Sequence, residues 1–378
     1  MRQTLSYDGD AYKNFIYSLK SPETRSTYSR CLKLYLKYNH IDDPNKLLKE
    51  DVKLMQSNVI EYLTSRQVCN IAYSTKHLYL SVLKHFYEIN DISLNWKKIG
   101  KYLGENERVV ADRAYSKAEI QKMLSVADIR GKIIVLLLCS TGLRIGGLVS
   151  LTLGNLRKLD EYGIYEIKVY EKSRFSYTCY CTPECAASID SYLEYRKIRG
   201  ENLNPGAPLL RGQFDRNDHF QCQHPRALSV HTLTRLLDDL LITCGLRIRQ
   251  PAIEGQSNRT RKEVMLSHGF RKFTNTMMVK ANLNLVVKEK LIGHSSFGLE
   301  NSYFRPDESL LISQYLQAIP HLTISGEHEL LLKNHEMEER NLRLENEKDQ
   351  ITKLKEELEP LLALKNTLIR EGILKETT

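Results

Sequence analysis

The sequence contains no long apolar run. Its longest uninterrupted apolar stretch is Ile133 to Cys139, far short of the roughly 18 residues at which a membrane span becomes a candidate. The N-terminus, which begins Met-Arg-Gln-Thr-Leu, also lacks the apolar core of a signal peptide. These absences argue against a membrane protein or a secreted protein, and they predict one that stays in the cytoplasm.

Cysteine is scarce and irregularly spaced. The 378 residues include eight cysteines, and in a long chain without a secretion signal we expect reduced thiols that fill the core. Six residues are of the types that bind zinc and could be combined into a site: Cys179, Cys181, Cys185, His219, Cys222 and His224. Because the first three also fit a strand and the first turn of a helix, we favour buried thiols and expect no metal.

Acidic residues are under-represented in the first 326 positions. From Glu327 onward the chain has 9 Lys and Arg against 13 Asp and Glu, and of the totals of 55 and 46 this leaves 46 and 33 for the body. The body therefore carries +13 and the tail −4. Such a basic body predicts a polyanionic partner, although a basic charge can also serve solubility alone.

The first hundred residues show helical patterning. Apolar positions recur at three- and four-residue spacing in three segments: Glu23 to Asn39, Asn45 to Gln67 and Ser74 to Ile89. We predict a helical N-terminal bundle over residues 1–103. The stretch 104–114 is polar and without clear period, so we assign it to an interdomain linker.

Residues 115–325 predict an α+β domain that is mainly helical. Ser116 and Glu119 have the spacing of a capping box, and an apolar helix from Lys132 ends at Thr141-Gly142, so that Arg144 starts the next helix. A β-rich pattern predicts an antiparallel hairpin with strands Ile164–Tyr170 and Phe175–Cys181. The remaining predictions are a helix from Pro183 to near Gly200, helices at Val230–Cys244, Glu263–Lys280 and Asn284–Leu291, and surface loops at Asn202–Arg226 and Ile248–Arg261.

The tail, 326–378, has a heptad pattern that predicts a C-terminal coiled coil. The apolar residues Leu330, Met337, Leu344, Ile351 and Leu358 fall at intervals of seven. A second seam is polar in the first three heptads, and we expect Pro360 to interrupt the helix. The coil should therefore be short or weak, and a solvated single helix is the alternative.

One ordered set of residues carries the chemistry: Arg144, Lys172, His268, Arg271, His294 and Tyr303. His268 and Arg271 are three apart in a predicted helix and so project from one face, where an exposed polar stripe is the alternative. Lys172 lies at the tip of the predicted hairpin, although Arg174 in the same turn is an equal candidate for its role.

In order and spacing this set resembles the tyrosine recombinase, or phage integrase, family. The match comprises Thr141-Gly-Leu-Arg144, a hairpin lysine, His268-Gly-Phe-Arg271, Leu291-Ile-Gly-His294, and Tyr303 nine residues later. The Ser302–Pro306 and Gln314–Ile324 contexts and the heptad tail look most like integrases of archaea and their mobile elements. The resemblance covers roughly Glu23 to Ile324, and it implies that the N-terminal bundle is a core-binding domain.

The resemblance implies DNA cleavage and rejoining through a covalent 3′-phosphotyrosine. Arg144 and Arg271 would hold the non-bridging oxygens of the phosphate, and His294 would hydrogen-bond to it. Tyr303 would be the nucleophile, with its ionisation assisted by His268. Lys172 would protonate the departing 5′ oxygen. The sequence has no Walker loop and no acidic cluster suited to two Mg²⁺ ions, so no cofactor is expected.

One position departs from the family pattern. Three residues after the first arginine the family often has an acidic residue that braces the site, but Gly147 stands here. The favoured interpretation is a site-specific recombinase whose two domains clamp double-stranded DNA and whose protomers act as a homo-oligomer, a tetramer on DNA. The alternatives are a type IB topoisomerase-like enzyme and a catalytically weak DNA-binding accessory factor.

Overall fold

The computed structural model describes residues 10–105, 112–215, 217–248, 263–294 and 306–370. The chain divides into two compact units, Met1–Val109 and Val110–Thr378. Tyr303, most of the predicted linker and nearly all of the Ile248–Arg261 loop lie outside the described residues. None of the helices among those described is both long and apolar enough to cross a bilayer.

The first unit is helical. It comprises α1 (Asp10–Tyr17), α2 (Pro22–Tyr38), α3 (Val52–Thr64), α4 (Arg66–Cys69), α5 (Tyr73–Ile89) and α6 (Trp96–Gly100), with 3₁₀ turns at Pro44–Leu48 and Lys101–Leu103. The predicted segment Asn45–Gln67 was wrong as a single helix. The Asp51 side chain accepts a hydrogen bond from Lys53 N at 2.8 Å and starts α3 afresh. Aromatic residues on α1, α2, α3 and α5 form the centre of this unit's core.

The second unit is a helical domain with one small sheet. Its helices are α7 (Lys117–Val126), α8 (Ile129–Thr141), α9 (Ile145–Ser150), α10 (Pro183–Ile198), α11 (His219–Gln223), α12 (Val230–Thr243), α13 (His268–Lys280), α14 (Leu285–Leu291), α15 (Glu308–Leu322) and α16 (Gly326–Arg370). The predicted hairpin is confirmed as β2 (Ile164–Val169) and β3 (Tyr177–Tyr180), and an unpredicted strand, β1 (Leu156–Leu159), pairs antiparallel with β2. Helix α13 begins five residues later than predicted.

Helix α8 forms the centre of this domain and positions the first arginine. Every side chain from Ile133 to Thr141 is buried, and the helix packs against α7, α10, α12 and α13. A helix that is apolar on all sides has to be surrounded in this way. As predicted, Gly142 ends it in the left-handed conformation, with φ 63°. The chain then turns and brings Arg144 to the edge of the core as the N-cap residue of α9.

The loop that follows α10 is more deeply buried than predicted. Residues Asn202–Arg226 were expected at the surface, but Leu209 and Leu210 lie in the core and α11 forms within the segment. The buried Arg196 guanidinium donates to the Pro208 and Leu209 carbonyl oxygens at 2.9 and 2.8 Å. Because these hydrogen bonds satisfy main-chain oxygens, the polar loop can enter the core at no net loss of hydrogen bonds.

The tail is one long helix, α16. Its start is fixed by the buried Glu184 carboxylate, which accepts hydrogen bonds from the backbone N–H groups of Ile324 and Ser325 at 2.8 and 2.9 Å. The expectation that Pro360 interrupts the helix was wrong, because α16 continues to Arg370. A proline removes a single i to i−4 hydrogen bond, and the surrounding turns carry the helix past it. The heptad residues from Leu330 to Leu358 are 52–63% exposed.

Candidate functional site

Among the predicted catalytic residues that the structure describes, the most deeply buried is Arg271, one turn into α13. The side chain is only 8% exposed. Its Nη1 donates to the Gly142 carbonyl oxygen and its Nη2 to the Ile292 carbonyl oxygen, both at 2.6 Å. Burial, together with the nearby positive charge of Arg144, lowers the pKa of Arg271 below its usual value. Two main-chain oxygens from separate loops therefore fix this cation in place.

Arg144 is anchored to the same two loops but is exposed. Its Nη1 donates to the Gly293 carbonyl oxygen at 3.0 Å. Arg271 binds the carbonyls of residues 142 and 292, so both guanidinium groups are tied to the segments 142–144 and 292–294. These carbonyl partners are neutral, so they orient the two guanidinium groups without cancelling their positive charges. A pair of forks of this kind suits an anion with several oxygens, such as a phosphate.

His294 is oriented by a carboxylate that the sequence analysis missed. Its Nδ1 is hydrogen-bonded to the side chain of Glu289 on α14. An ionised carboxylate can only accept, so the hydrogen is on Nδ1, and Nε2 is the ring nitrogen left for a substrate. Burial opposes ionisation of Glu289, but hydrogen bonds from Lys288, at 2.9 Å, and from His294, with their charges, lower its pKa. Glu289 lies in a Lys-Glu-Lys run that resembles a solvated helix face, so no sequence signal singles it out.

Two adjoining cavities contain four of the five predicted catalytic residues that the structure describes, Lys172 being the exception. A groove of about 920 Å³ is lined by Arg144, Arg174 and His294, among others. A smaller cavity of about 290 Å³ is lined by Arg144, His268 and Arg271. Arg144 therefore belongs to both, and the pair His268–Arg271 faces one cavity while His294 faces the other.

The hairpin turn contributes Arg174 to the groove rather than Lys172. Arg174 is one of the groove-lining residues, and its guanidinium lies 4.7 Å from the centre of the Phe175 ring. Lys172 is exposed in the same turn, and the groove lining does not include it. The groove also contains Lys290 from α14, a basic residue that sequence reasoning did not select.

The wall of the groove requires a glycine at position 293. Gly293 has a positive φ of 66°, and a Cβ atom there would lie 2.4 Å from the Tyr177 ring. Tyr177 is on β3, and burial raises the pKa of its hydroxyl. The close packing of the ring on Gly293 sets the position of the carbonyl that binds Arg144. Sequence reasoning treated Tyr177 only as a strand residue.

The cysteines of the hairpin region lie in the core. Cys179, Cys181 and Cys185 are all buried, the Cys181 sulfur accepts a hydrogen bond from Tyr165 N at 3.4 Å, and burial raises the pKa of Cys179. Cys222 is buried in α11, whereas His224 is exposed and stacks on Phe220. Within the described ranges no group of three or more His, Cys, Asp or Glu side chains could hold a metal ion.

Comparison with known proteins gives a family match and several more distant similarities. Residues 113–309, slightly more than half of the chain, match the phage integrase family. Tyrosine recombinase XerC of Leptospira interrogans is 24% identical to this chain over 324 residues, which cover 82% of this chain and 93% of XerC.

Two solved structures have a similar fold. The Tn1549 transposon integrase in complex with a circular intermediate DNA has a TM-score of 0.54 at 15% identity, with 81% of this chain and 99% of that chain covered. A lambda integrase dimer bound to a COC′ core site has a TM-score of 0.50 at 15% identity, with 79% and 94% covered. At such identities the likeness concerns the fold alone. The family match covers more than half of the chain and spans all six predicted catalytic positions, five of them among the described residues and the sixth being Tyr303. It shows that the chain belongs to the phage integrase family of tyrosine recombinases.

Proposed function

We propose that the protein is a site-specific DNA recombinase that cleaves and rejoins DNA strands through a 3′-phosphotyrosyl intermediate. The observation that carries the proposal is the pair of guanidinium groups, Arg144 and Arg271, held side by side on main-chain carbonyls next to His294. Membership of the phage integrase family supports an enzyme of this class.

The two arginines would stabilise the charge that develops on the scissile phosphate. Attack on a phosphodiester places negative charge on the non-bridging oxygens, and guanidinium forks fixed beforehand need no reorganisation to bind it. The carbonyl groups that orient Arg271 are neutral, so they do not cancel the positive charge that the phosphate would meet. His294, oriented through Glu289, would donate a further hydrogen bond from Nε2 in its protonated form.

Tyr303 is the nucleophile in this proposal, although it lies outside the described residues. The undescribed segment 295–305 begins directly after His294, and Leu311 of the following helix lines the same groove. Both ends of the segment thus lie in the domain that carries the arginines. Attack by the Tyr303 oxygen would join it to phosphorus and release the 5′ oxygen, and the phosphotyrosyl ester would keep the energy needed for rejoining.

The proton transfers are assigned by chemistry and by position. His268, in the smaller cavity with Arg144 and Arg271, would assist the ionisation of Tyr303. The departing 5′ oxygen needs a proton, and a lysine ammonium releases one far more readily than a guanidinium does. We therefore keep Lys172 as the general acid and assign Arg174, which lines the groove, to a phosphate contact.

We infer that double-stranded DNA is the partner and that the N-terminal unit is the core-binding domain. The basic body, with +13 over the first 326 residues, fits a polyanion. Binding should weaken steeply with salt, because each phosphate contact releases counterions. The related Tn1549 and lambda integrases were solved on DNA, the latter as a dimer.

The assembly and the branch of the family remain proposals from the sequence. We propose that the exposed heptad residues of α16 pair with another copy, within a tetramer on DNA in the host cytoplasm. The likeness of residues 302–306 and 314–324 to archaeal integrases is likewise a prediction, since the matches described above concern the family as a whole.

A nicked suicide substrate tests the enzyme against its two alternatives. Wild type and Tyr303→Phe are incubated with the element's attachment sequence, without metal or ATP, and run on a denaturing gel. Wild type should form a slow-migrating adduct and Tyr303→Phe none, while Tyr17→Phe, at a 73% exposed tyrosine on α1, should behave as wild type. Tight binding with no adduct from any variant would identify an accessory factor, and relaxation of supercoils without exchange between sites would identify a topoisomerase.

A further inference from the structure

A tyrosine side chain fills the space beside the residue where this chain departs from the family pattern. A Cβ atom added at Gly147 would lie 3.2 Å from the Tyr170 hydroxyl oxygen and 3.2 Å from Val169 Cγ1. The same addition at Gly146 would lie 3.6 Å from that oxygen, which is an ordinary contact. The Tyr170 hydroxyl therefore occupies the position from which a longer side chain at 147 would extend.

The backbone of Tyr170 is held in an uncommon conformation that sets the direction of the ring. Tyr170 directly follows β2 and has a φ of 53°, in the left-handed region that a bulky residue rarely adopts. Its carbonyl oxygen accepts a hydrogen bond from Ser173 N at 2.8 Å, which closes the hairpin turn. Its ring lies 6.5 Å from the ring of Tyr177, which packs on Gly293. Packing and the turn together hold a strained residue, which is common at functional sites.

Tyr170 lines both cavities of the site, in each case together with Arg144. It lines the large groove with Arg144 and His294, and it lines the small cavity with Arg144, His268 and Arg271. Of the residues that line these two cavities, only Arg144 and Tyr170 belong to both. In the described part of the chain Tyr170 is half-buried and its hydroxyl makes no hydrogen bond, and that oxygen is not one of the fully buried polar atoms that lack a partner. The hydroxyl is therefore accessible from the cavities and can accept a hydrogen bond there.

We propose that Tyr170 is a positioning residue for Arg144 during strand cleavage. Its hydroxyl oxygen accepts a hydrogen bond from the guanidinium as Arg144 binds the scissile phosphate, and so replaces the acidic residue often found at position 147 in the family. A neutral phenol orients the cation without cancelling its charge, which a carboxylate would do in part. The proposal rests on the recombinase function proposed above.

The test compares Tyr170→Phe with wild type in single-turnover cleavage of the nicked suicide substrate. A hydrogen bond to a charged group is worth enough to change the rate about tenfold to a hundredfold, and we expect a loss of that size. DNA affinity and the thermal midpoint should stay at wild-type values, because phenylalanine keeps the ring and its packing.

A second substrate separates positioning of Arg144 from a general structural role. A methylphosphonate at the scissile position removes the charge that Arg144 binds, so wild type and Tyr170→Phe should cleave this substrate at equal rates. An equal loss on both substrates would overturn the proposal. If wild type and Tyr170→Phe cleave the normal substrate at the same rate, the proposal for Tyr170 is overturned but the recombinase function is not. If wild type forms no adduct at all, the result counts against the recombinase function.

A pair of glycine variants provides a matched control. Gly147→Ala adds a Cβ atom 3.2 Å from the Tyr170 hydroxyl oxygen and from Val169 Cγ1, so these neighbours must shift by a few tenths of an ångström, whereas Gly146→Ala makes only an ordinary contact. We expect Gly147→Ala to slow cleavage, though less than Tyr170→Phe does, and Gly146→Ala to have a much smaller effect. In the Tyr170→Phe background Gly147→Ala should slow cleavage little further, because both changes act through the Tyr170 hydroxyl. If the two rate losses multiply fully in the double variant, they do not share this cause.

Discussion

Glu289→Gln tests how much of the site depends on a single carboxylate. Glu289 bridges Lys288, whose side chain is 7% exposed, and His294, and its own side chain is 13% exposed. Glutamine has nearly the same shape but carries no charge. The substitution therefore leaves the Lys288 ammonium buried without its counterion and removes the fixed acceptor of His294 Nδ1.

The expected loss of stability follows from burial. Removing one partner of a buried ion pair costs about 3–5 kcal/mol, but the glutamine oxygen can still accept from Lys288, so we expect about 2–3 kcal/mol. For cleavage we expect a fall of about tenfold to a hundredfold, since outer partners of a functional histidine typically contribute that factor.

The difference in stability between wild type and Glu289→Gln should change with pH in a definite direction. The pKa of Glu289 is depressed in the folded protein from an ordinary value of 4.5. A depressed carboxyl pKa adds stability that is fully present above the unfolded value and is lost as the pH falls through the folded value. The gap in stability between wild type and Glu289→Gln should thus be constant near neutral pH and should narrow below about pH 4.5.

Urea unfolding followed by circular dichroism, together with suicide-substrate cleavage, checks both effects. The matched control is Glu88→Gln, which breaks the exposed i, i+4 pair with Lys84, 3.8 Å apart and both 49% exposed, and should cost no more than about 0.5 kcal/mol. If Glu289→Gln unfolds at the same urea concentration as this control and cleaves at the wild-type rate, the carboxylate does not organise the site.

Three further variants probe other contacts. Gly293→Ala places a Cβ atom 2.4 Å from the half-buried Tyr177 ring at a φ of 66° and should lower stability by at least about 2 kcal/mol. Its control, Gly245→Ala, has a φ of 74° and no atom within 4 Å, and should show the backbone strain alone in the same urea titration. Glu201→Gln leaves two buried arginines without their shared carboxylate and should lower stability by about 3–5 kcal/mol, so an unchanged urea midpoint would refute the pairing. Deletion after Ser325 should reduce the oligomeric state measured by sedimentation. It should leave the thermal midpoint unchanged, because the hydrogen bonds from the Ile324 and Ser325 N–H groups to the buried Glu184 carboxylate in α10 are retained.

Local signals were sufficient for the elements that carry the site. The capping box at Ser116 and Glu119 is formed as predicted, and Gly142 ends α8 as predicted. The hairpin was predicted because alternation and turn residues act over a few positions. Strand β1 was missed because its four residues are exposed or half-buried and gain their partner only through β2.

The contacts within the site could not be predicted, because they join distant parts of the chain. Arg271 binds carbonyl oxygens of residues 142 and 292, and main-chain oxygens have no signature in a sequence. Position 293 requires a glycine because the Tyr177 ring lies too close for a Cβ atom, and only the fold shows that distance. The motif predicted a set of site residues, whereas the contacts that each of them makes could be seen only in the fold.

The choice of partners for the two arginines bears on how the site attracts DNA. A carboxylate beside Arg144 would hold it firmly but would cancel part of its charge. Carbonyl oxygens orient both guanidinium groups without that cost, and the nearby Glu289 is already engaged by Lys288 and His294. The site therefore has an excess of positive charge, and a bound phosphate would relieve the repulsion between the two arginines. Gly147 is consistent with this arrangement: position 147 adds no negative charge beside Arg144, and under our proposal the neutral Tyr170 hydroxyl orients the guanidinium instead.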